Sequence, residues 1–92
     1  MQVIDGRNSD QFSKTSIFGS INIPLNNLLN GDKSLKSASD RRQLFESYGI
    51  DLAKDIWLRG EGEAMGCILY GSLKDIATGR LSVLQSSPIL KD

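Results

Sequence analysis

Ninety-two residues are enough for one domain with a modest core and too few for two. Eleven basic residues balance eleven acidic ones, so the chain has no excess positive charge to attract nucleic acid, and we expect no nucleic-acid partner. The chain has no histidine and one cysteine, Cys67, which excludes an internal disulfide, the usual zinc sites and a histidine-activated nucleophile. We therefore expect neither a metal ion nor a cofactor.

The apolar segments are short. None approaches the ~20 residues that span a bilayer, and no secretory leader precedes the first of them. These features predict a soluble protein with no membrane partner, located in the cytoplasm or a mitochondrion. The chain opens directly on a core-type strand, which favours a piece of a longer protein.

The first quarter of the chain predicts two strands. Residues 2–5 form a short β-branched run that ends in an Asp-Gly pair, which is typical of a buried strand at the point where it leaves a sheet. Residues 6–18 are polar and predict a loop with at most one helical turn. Ile21 and Ile23 alternate before Pro24 and predict a second strand, after which a brief helix and a turn follow.

Residues 37–49 predict the clearest helix. Ser37 and Asp40 fit a capping box, and Gly49 stands where a left-handed C-cap is needed. One face of this helix is apolar and consists of Leu44, Phe45 and Tyr48.

The remaining residues predict a strand, a helix and a further strand, at residues 55–58, 64–77 and 80–84. The apolar face of the helix comprises Met65, Ile68, Leu69, Leu73 and Ile76. Alternating strands and helices predict an α/β domain over residues 1–84, with a mostly parallel sheet flanked by helices, followed by a tail at residues 85–92.

The glycines after the third predicted strand resemble a loosened dinucleotide-binding fingerprint, Gly60-x-Gly62-x-x-x-Gly66. Glu61 and Glu63 would oppose a pyrophosphate there, and too little chain follows to complete such a domain. The pattern therefore favours a glycine-rich turn over a dinucleotide site.

Several segments of the first 58 residues occur in the order found in one family. A strand that ends in Asp5-x-Arg7 is followed by the aromatic Phe12, by "IFGSINIP" at residues 17–24, by "LNNLL", and by the helix "LKS…LF…GIDL". Together they resemble the first half of a rhodanese domain, most closely the C-terminal, catalytic domain of the 3-mercaptopyruvate and thiosulfate sulfurtransferases. Beyond Met65 the similarity fades, so this rhodanese-like domain is either truncated or divergent at its C-terminal end.

The resemblance implies a central parallel sheet and a six-residue active-site loop after the third strand. In this family a loop cysteine takes a sulfane sulfur from a small anionic donor as a persulfide and passes it to a thiol or cyanide. The loop N–H groups stabilise the thiolate and the persulfide, so the chemistry needs no histidine.

The loop of this chain departs from the family pattern C-G-S/T-G-V-T-A. Alignment places Arg59 at the catalytic cysteine and Gly60 and Gly62 at the glycines, and it leaves Glu61, Glu63 and Ala64 at the other loop positions. Arginine cannot carry a persulfide, and two carboxylates would raise the pKa of a thiol. The loop therefore occupies the position of an active-site loop but lacks the residues that sulfur transfer needs.

Cys67 is the alternative nucleophile. Its neighbours Ile68, Leu69 and Tyr70 are unlike the small and polar residues of the family loop. We interpret Cys67 as a small apolar filler in the early turns of the helix.

The family's donor-binding groups are also altered. An arginine beside the aromatic residue helps to hold the anionic donor in the family, and here that neighbour is Gln11. Lys14 is the nearest cation that can substitute. Asp5 and Arg7 are predicted to brace the strand end through hydrogen bonds and an ion pair, or to take part in substrate binding.

Two functions follow from the resemblance. The first is that of a sulfurtransferase-family domain, whose ancestral reaction transfers sulfane sulfur from mercaptopyruvate or thiosulfate. The second is that of a catalytically inactive rhodanese module that binds a protein partner or a small anion, or supports a neighbouring domain. The missing cysteine favours a catalytically inactive module as the function of this chain. The extent of the resemblance over the first half of the domain favours the sulfurtransferases as its family.

Overall fold

Four short parallel strands form the sheet, in the order β2-β1-β3-β4. They are β1 (Gln2–Asp5), β2 (Ile21–Asn22), β3 (Ile56–Arg59) and β4 (Leu81–Val83). The computed structural model of the protein describes residues 2–14 and 19–84. Within them the α/β class and the parallel sheet are confirmed, while the predicted tail at residues 85–92 lies outside the described residues.

The helices connect these strands. They are α1 (Ser9–Lys14), a 3-10 helix (Leu25–Leu28), α2 (Ala38–Ser47) and α3 (Glu63–Leu73). α1 is longer than the single turn expected, because the Asn8 side chain accepts a hydrogen bond from the Gln11 N–H at 2.9 Å and caps the helix. α3 ends at Leu73, earlier than predicted.

Both ends of α2 are as the sequence predicts. The Ser37 hydroxyl accepts a hydrogen bond from the Asp40 N–H at 3.2 Å, and Gly49 follows the helix with a φ of 83°. A side chain at that φ would be strained, so glycine ends the helix without cost.

The core lies between the sheet and the helices. Its fully buried apolar side chains come from β1 and β3, from α2 and α3, from the 3-10 helix and from the segment after β2: Ile4, Ile56, Leu58, Phe45, Leu69, Leu73, Leu28 and Ile23. Ile68, which the spacing groups with the apolar residues of α3, is 43 % exposed. It precedes Leu69 by one residue, about 100° around the helix, and therefore lies outside the face that packs on the sheet.

The carboxyl ends of β1 and β3 lie side by side at the centre of the sheet. Asp5 is the register partner of Arg59, and the Gly6 N–H donates to the Arg59 carbonyl at 2.8 Å. Ligands of open parallel sheets bind beyond this edge. Asp5 and Arg59, two of the residues that the resemblance assigns to the active-site region, therefore lie at this edge.

Candidate functional site

Asp5 and Arg7 form a closed pair at the end of β1. The Arg7 Nη2 donates to Asp5 Oδ2 at 2.9 Å and its Nε to Asp5 Oδ1 at 3.0 Å, while the Arg7 main-chain N–H also donates to Oδ1 at 3.0 Å. Asp5 is completely buried, and its hydrogen bonds raise the pKa of Arg7 above its ordinary value. The predicted bracing contacts are therefore present.

Asn22 extends this arrangement to β2. Its side-chain amide donates to the carbonyls of Asp5 at 3.0 Å and of Arg7 at 2.9 Å. The turn that carries Arg7 is fixed from two sides, and this lowers the entropy cost of holding the guanidinium in one place.

Arg59 lies beside this pair at the end of β3. Its side chain is 20 % exposed, and its Nη1 is 4.0 Å from Asp5 Oδ2, whose hydrogen-bonding capacity is largely taken by Arg7. Within residues 2–14 and 19–84, the Arg59 guanidinium makes no hydrogen bond. A mostly buried guanidinium with free donors favours an acceptor from outside the domain.

The connection from β3 to α3 is shorter than the resemblance implies. Only Gly60, Glu61 and Gly62 separate the strand from the helix, so Glu63 and Ala64 belong to the first turn of α3 and their assignment to the loop is corrected. Gly62 has a φ of 107°, which turns the chain sharply enough for its carbonyl to accept from the Gly66 N–H at 3.2 Å.

Met65 fills the inner side of this 60–62 loop. The Glu61 N–H donates to Met65 Sδ at 3.3 Å, and a Cβ on Gly60 would lie 2.8 Å from Met65 Cβ and 2.9 Å from the Gly66 nitrogen. The backbone therefore presses directly on the Met65 side chain. At least one loop N–H already has a sulfur acceptor from within the protein.

A cleft of about 280 Å³ opens above the loop, and we call it the Arg59 cleft. Its lining residues are Arg7, Gln11, Arg59, Gly60, Glu61 and Gly62. The Gln11 amide donates to Glu61 Oε2 at 2.7 Å, which holds that carboxylate against α1. Gln11 Oε1 is buried and has no hydrogen-bond partner among the described residues. The cleft thus contains unused donors on Arg59 and an unused acceptor on Gln11.

The other predicted site residues lie apart from the Arg59 cleft. Lys14 is exposed at the end of α1 and does not line the cleft. Cys67 is exposed on α3, so its interpretation as a core filler is wrong: it lies on the side of the helix opposite Leu69 and Leu73. From the sequence, Gln11 is identified only as the residue that replaces the family's arginine. No feature of the sequence predicts its contact with Glu61.

Two classes of site can be addressed from the part of the chain that the structure describes. There, Cys, Asp and Glu do not cluster in groups of three or more that could hold a metal ion. None of the described helices is long and apolar enough to cross a membrane.

No protein-family model matches the chain, and no curated protein matches it. The functional interpretation therefore depends on the residues of the Arg59 cleft themselves.

Proposed function

We propose that this chain is a rhodanese-like domain that has lost sulfur transfer and instead binds a small anion in the Arg59 cleft. The observation that carries the proposal is the state of Arg59. Its guanidinium is mostly buried at the end of a central strand, 4.0 Å from a carboxylate that already binds Arg7.

Sulfur transfer is disfavoured by the chemistry of the loop. A persulfide needs a thiol at the position of Arg59 and inward-facing N–H groups to stabilise it. Here the Glu61 N–H is bonded to Met65 Sδ, and Gly60 packs on Met65. The family reaction at Cys67 remains the alternative, because that thiol is exposed on α3.

Anion binding is favoured by charge and by preorganisation. Arg59 and Arg7 both line the cleft, and an arginine fork binds carboxylate, sulfate or phosphate oxygens through paired hydrogen bonds. The start of α3 adds the positive end of a helix dipole. Glu61 opposes a highly charged ligand, whereas the free Gln11 Oε1 suits a ligand that also carries a donor, such as hydrogen phosphate or a 2-hydroxy acid.

The test compares Arg59→Gln with Arg42→Gln, which removes an exposed arginine of α2. Lactate, phosphate, sulfate and thiosulfate are titrated into each protein by calorimetry. Because a charge-assisted hydrogen bond contributes about 1.5–3 kcal/mol, Arg59→Gln should weaken binding roughly tenfold to a hundredfold, and Arg42→Gln should leave it unchanged. Equal affinities in the two variants, or no binding by the unaltered protein, would refute an anion site at Arg59.

The same samples test the alternative. Incubation with thiosulfate or mercaptopyruvate, followed by cyanide, should give no thiocyanate, and intact mass should show no gain of about 32 Da. A gain that disappears in Cys67→Ser would instead assign sulfur transfer to Cys67.

A further inference from the structure

A second cleft, of about 200 Å³, adjoins the Arg59 cleft. Glu61 lines both clefts, so it stands where they meet. Besides Glu61, the lining residues of the second cleft are Gly6, Asn8, Pro24, Leu25, Asn26 and Met65. Pro24, Leu25 and Met65 are half-buried, whereas the two asparagines are exposed. The deeper part of this cleft is therefore apolar, and we call it the Leu25 cleft.

The walls of the Leu25 cleft are tied to the residues that form the Arg59 cleft. The Leu25 N–H donates to the Gly6 carbonyl at 3.0 Å, and Gly6 directly precedes Arg7. On the other side, Met65 Sδ accepts from the Glu61 N–H at 3.3 Å. Because hydrogen bonds join the two clefts on both sides, a ligand that enters both finds them already in place, which lowers the cost of binding.

The Arg59 cleft contains both signs of charge. Glu61 Oε2 accepts from the Gln11 amide at 2.7 Å, while Glu61 Oε1 makes no hydrogen bond within residues 2–14 and 19–84. The pKa of Arg7 is raised mainly by its hydrogen bond to Asp5, and the negative charge of Glu61 raises it further. Guanidinium donors and a carboxylate acceptor thus face the same small space.

We infer that the ligand is a free α-amino acid with an apolar side chain, which occupies both clefts. The inference rests on the proposed anion site, since the carboxylate of the amino acid binds Arg59. The ammonium group donates to Glu61, and the side chain enters the Leu25 cleft, where it packs on Leu25 and Met65.

The role of Glu61 favours an amino acid over a simple anion. A ligand with only negative charge leaves the Glu61 carboxylate facing a like charge, which weakens binding. An amino acid carries its ammonium one carbon away from its carboxylate, so it supplies a partner for Glu61 and one for Arg59 together. The unused Gln11 Oε1 is a further acceptor at the same cleft.

A ligand series tests each of the three contacts by calorimetry on the unaltered protein. L-leucine should bind about tenfold more tightly than L-alanine, because each buried methylene strengthens binding by up to about fourfold. It should also bind at least about tenfold more tightly than 4-methylpentanoate, which has the same side chain and carboxylate but no ammonium. Three contacts around one tetrahedral carbon distinguish mirror images, so D-leucine and L-leucine should bind unequally.

Variants assign these contacts to residues. Glu61→Gln keeps an acceptor for Gln11 but removes the charge, so it should weaken L-leucine about tenfold and strengthen 4-methylpentanoate. These opposite changes cannot come from loss of the fold. Leu25→Ala should weaken L-leucine and leave L-alanine unchanged, and the control Leu35→Ala, outside both clefts, should change neither.

The outcomes separate this inference from the anion site on which it rests. If lactate or sulfate binds through Arg59, but L-leucine binds no more tightly than 4-methylpentanoate or L-alanine, the anion site stands and the amino-acid ligand is refuted. Tighter binding of 2-hydroxy-4-methylpentanoate than of L-leucine would also refute it, in favour of a hydroxy acid. If none of these ligands binds, both proposals are wrong.

Discussion

Two hydrogen-bonded Arg–Asp pairs among the described residues, Asp5–Arg7 and Arg41–Asp75, differ in the exposure of the carboxylate. In the Asp5–Arg7 pair both the carboxylate and the arginine are buried. In the Arg41–Asp75 pair the arginine is buried and the carboxylate is 49 % exposed. The first pair fixes the end of β1, whereas the second joins α2 to the residues just after α3.

This difference in exposure indicates which charged side chain contributes most to stability. Asp5 has no access to water, so the guanidinium and the N–H of Arg7 are its compensation. Arg41 has other acceptors: its Nη1 donates to the Ser72 carbonyl at 2.6 Å and its Nε to the Lys36 carbonyl at 2.7 Å. Removing one of these charged side chains should therefore lower the free energy of unfolding most at Asp5, less at Arg41 and least at Asp75.

Asp5→Asn should have the largest effect. It removes the charge that compensates Arg7 and the nearby Arg59, and breaking a buried ion pair costs about 3–5 kcal/mol. The free energy of unfolding in urea measures this loss. Asp10→Asn, at an exposed position in the first turn of α1, is the control and should change it by less than about 0.5 kcal/mol. Similar losses in both variants would show that Asp5 is not the indispensable partner.

Arg41→Met should have an intermediate effect of about 2 kcal/mol, because it leaves the Ser72 and Lys36 carbonyls without this donor but keeps an apolar stem in place. Amide hydrogen exchange should accelerate at the end of α3. Arg42→Met, on the exposed side of α2, is the control and should leave both readouts unchanged. Unchanged exchange in Arg41→Met would contradict a link between the helices.

Asp75→Asn should have the smallest effect, below about 1 kcal/mol, because half of this carboxylate is exposed. The hydrogen bonds from Arg41 lower the pKa of Asp75 below its ordinary value of 3.8. A lowered pKa stabilises the folded state above the unfolded-state value, and the contribution is lost as pH falls through the folded-state value. The difference between Asp75→Asn and the unaltered protein in urea should thus be present at about pH 6 and shrink below about pH 4. A difference that grows on acidification would contradict the pairing.

The local elements could be predicted because their causes are local. Ser37 and Gly49 mark the ends of α2 by capping geometry that involves only nearby residues. The Asn8 cap of α1 was equally visible, since Asn8 and Gln11 have the spacing of a capping box, and it was missed. Strand positions followed from short apolar runs next to glycine and proline.

The position of the site could be predicted from the sequence, but the contacts within the site could not. Parallel strands bring Asp5 and Arg59 to the same edge, which strand prediction alone implies. The packing of Met65 under Gly60 depends on how sharply Gly62 turns the chain, and the exposure of Cys67 depends on the rotation of α3 about its axis. Neither quantity is fixed by periodicity, because a rotation of α3 by about one residue position, or 100°, moves a side chain from the edge of the buried face into solvent.

The position of β1 between β2 and β3 has a consequence for how the chain folds. β1 is the first of the described strands in sequence, yet its partner β3 follows only after α2. Closing the loop between residues so far apart in sequence costs chain entropy, and this cost comes before the favourable contacts between the paired strands form. Parallel sheets therefore fold slowly. During synthesis at about 5–20 residues per second, β1 emerges with one edge open and stays so until Ile56–Arg59 has been made. We therefore expect the centre of the sheet, with the Asp5–Arg59 contact, to be completed late in folding.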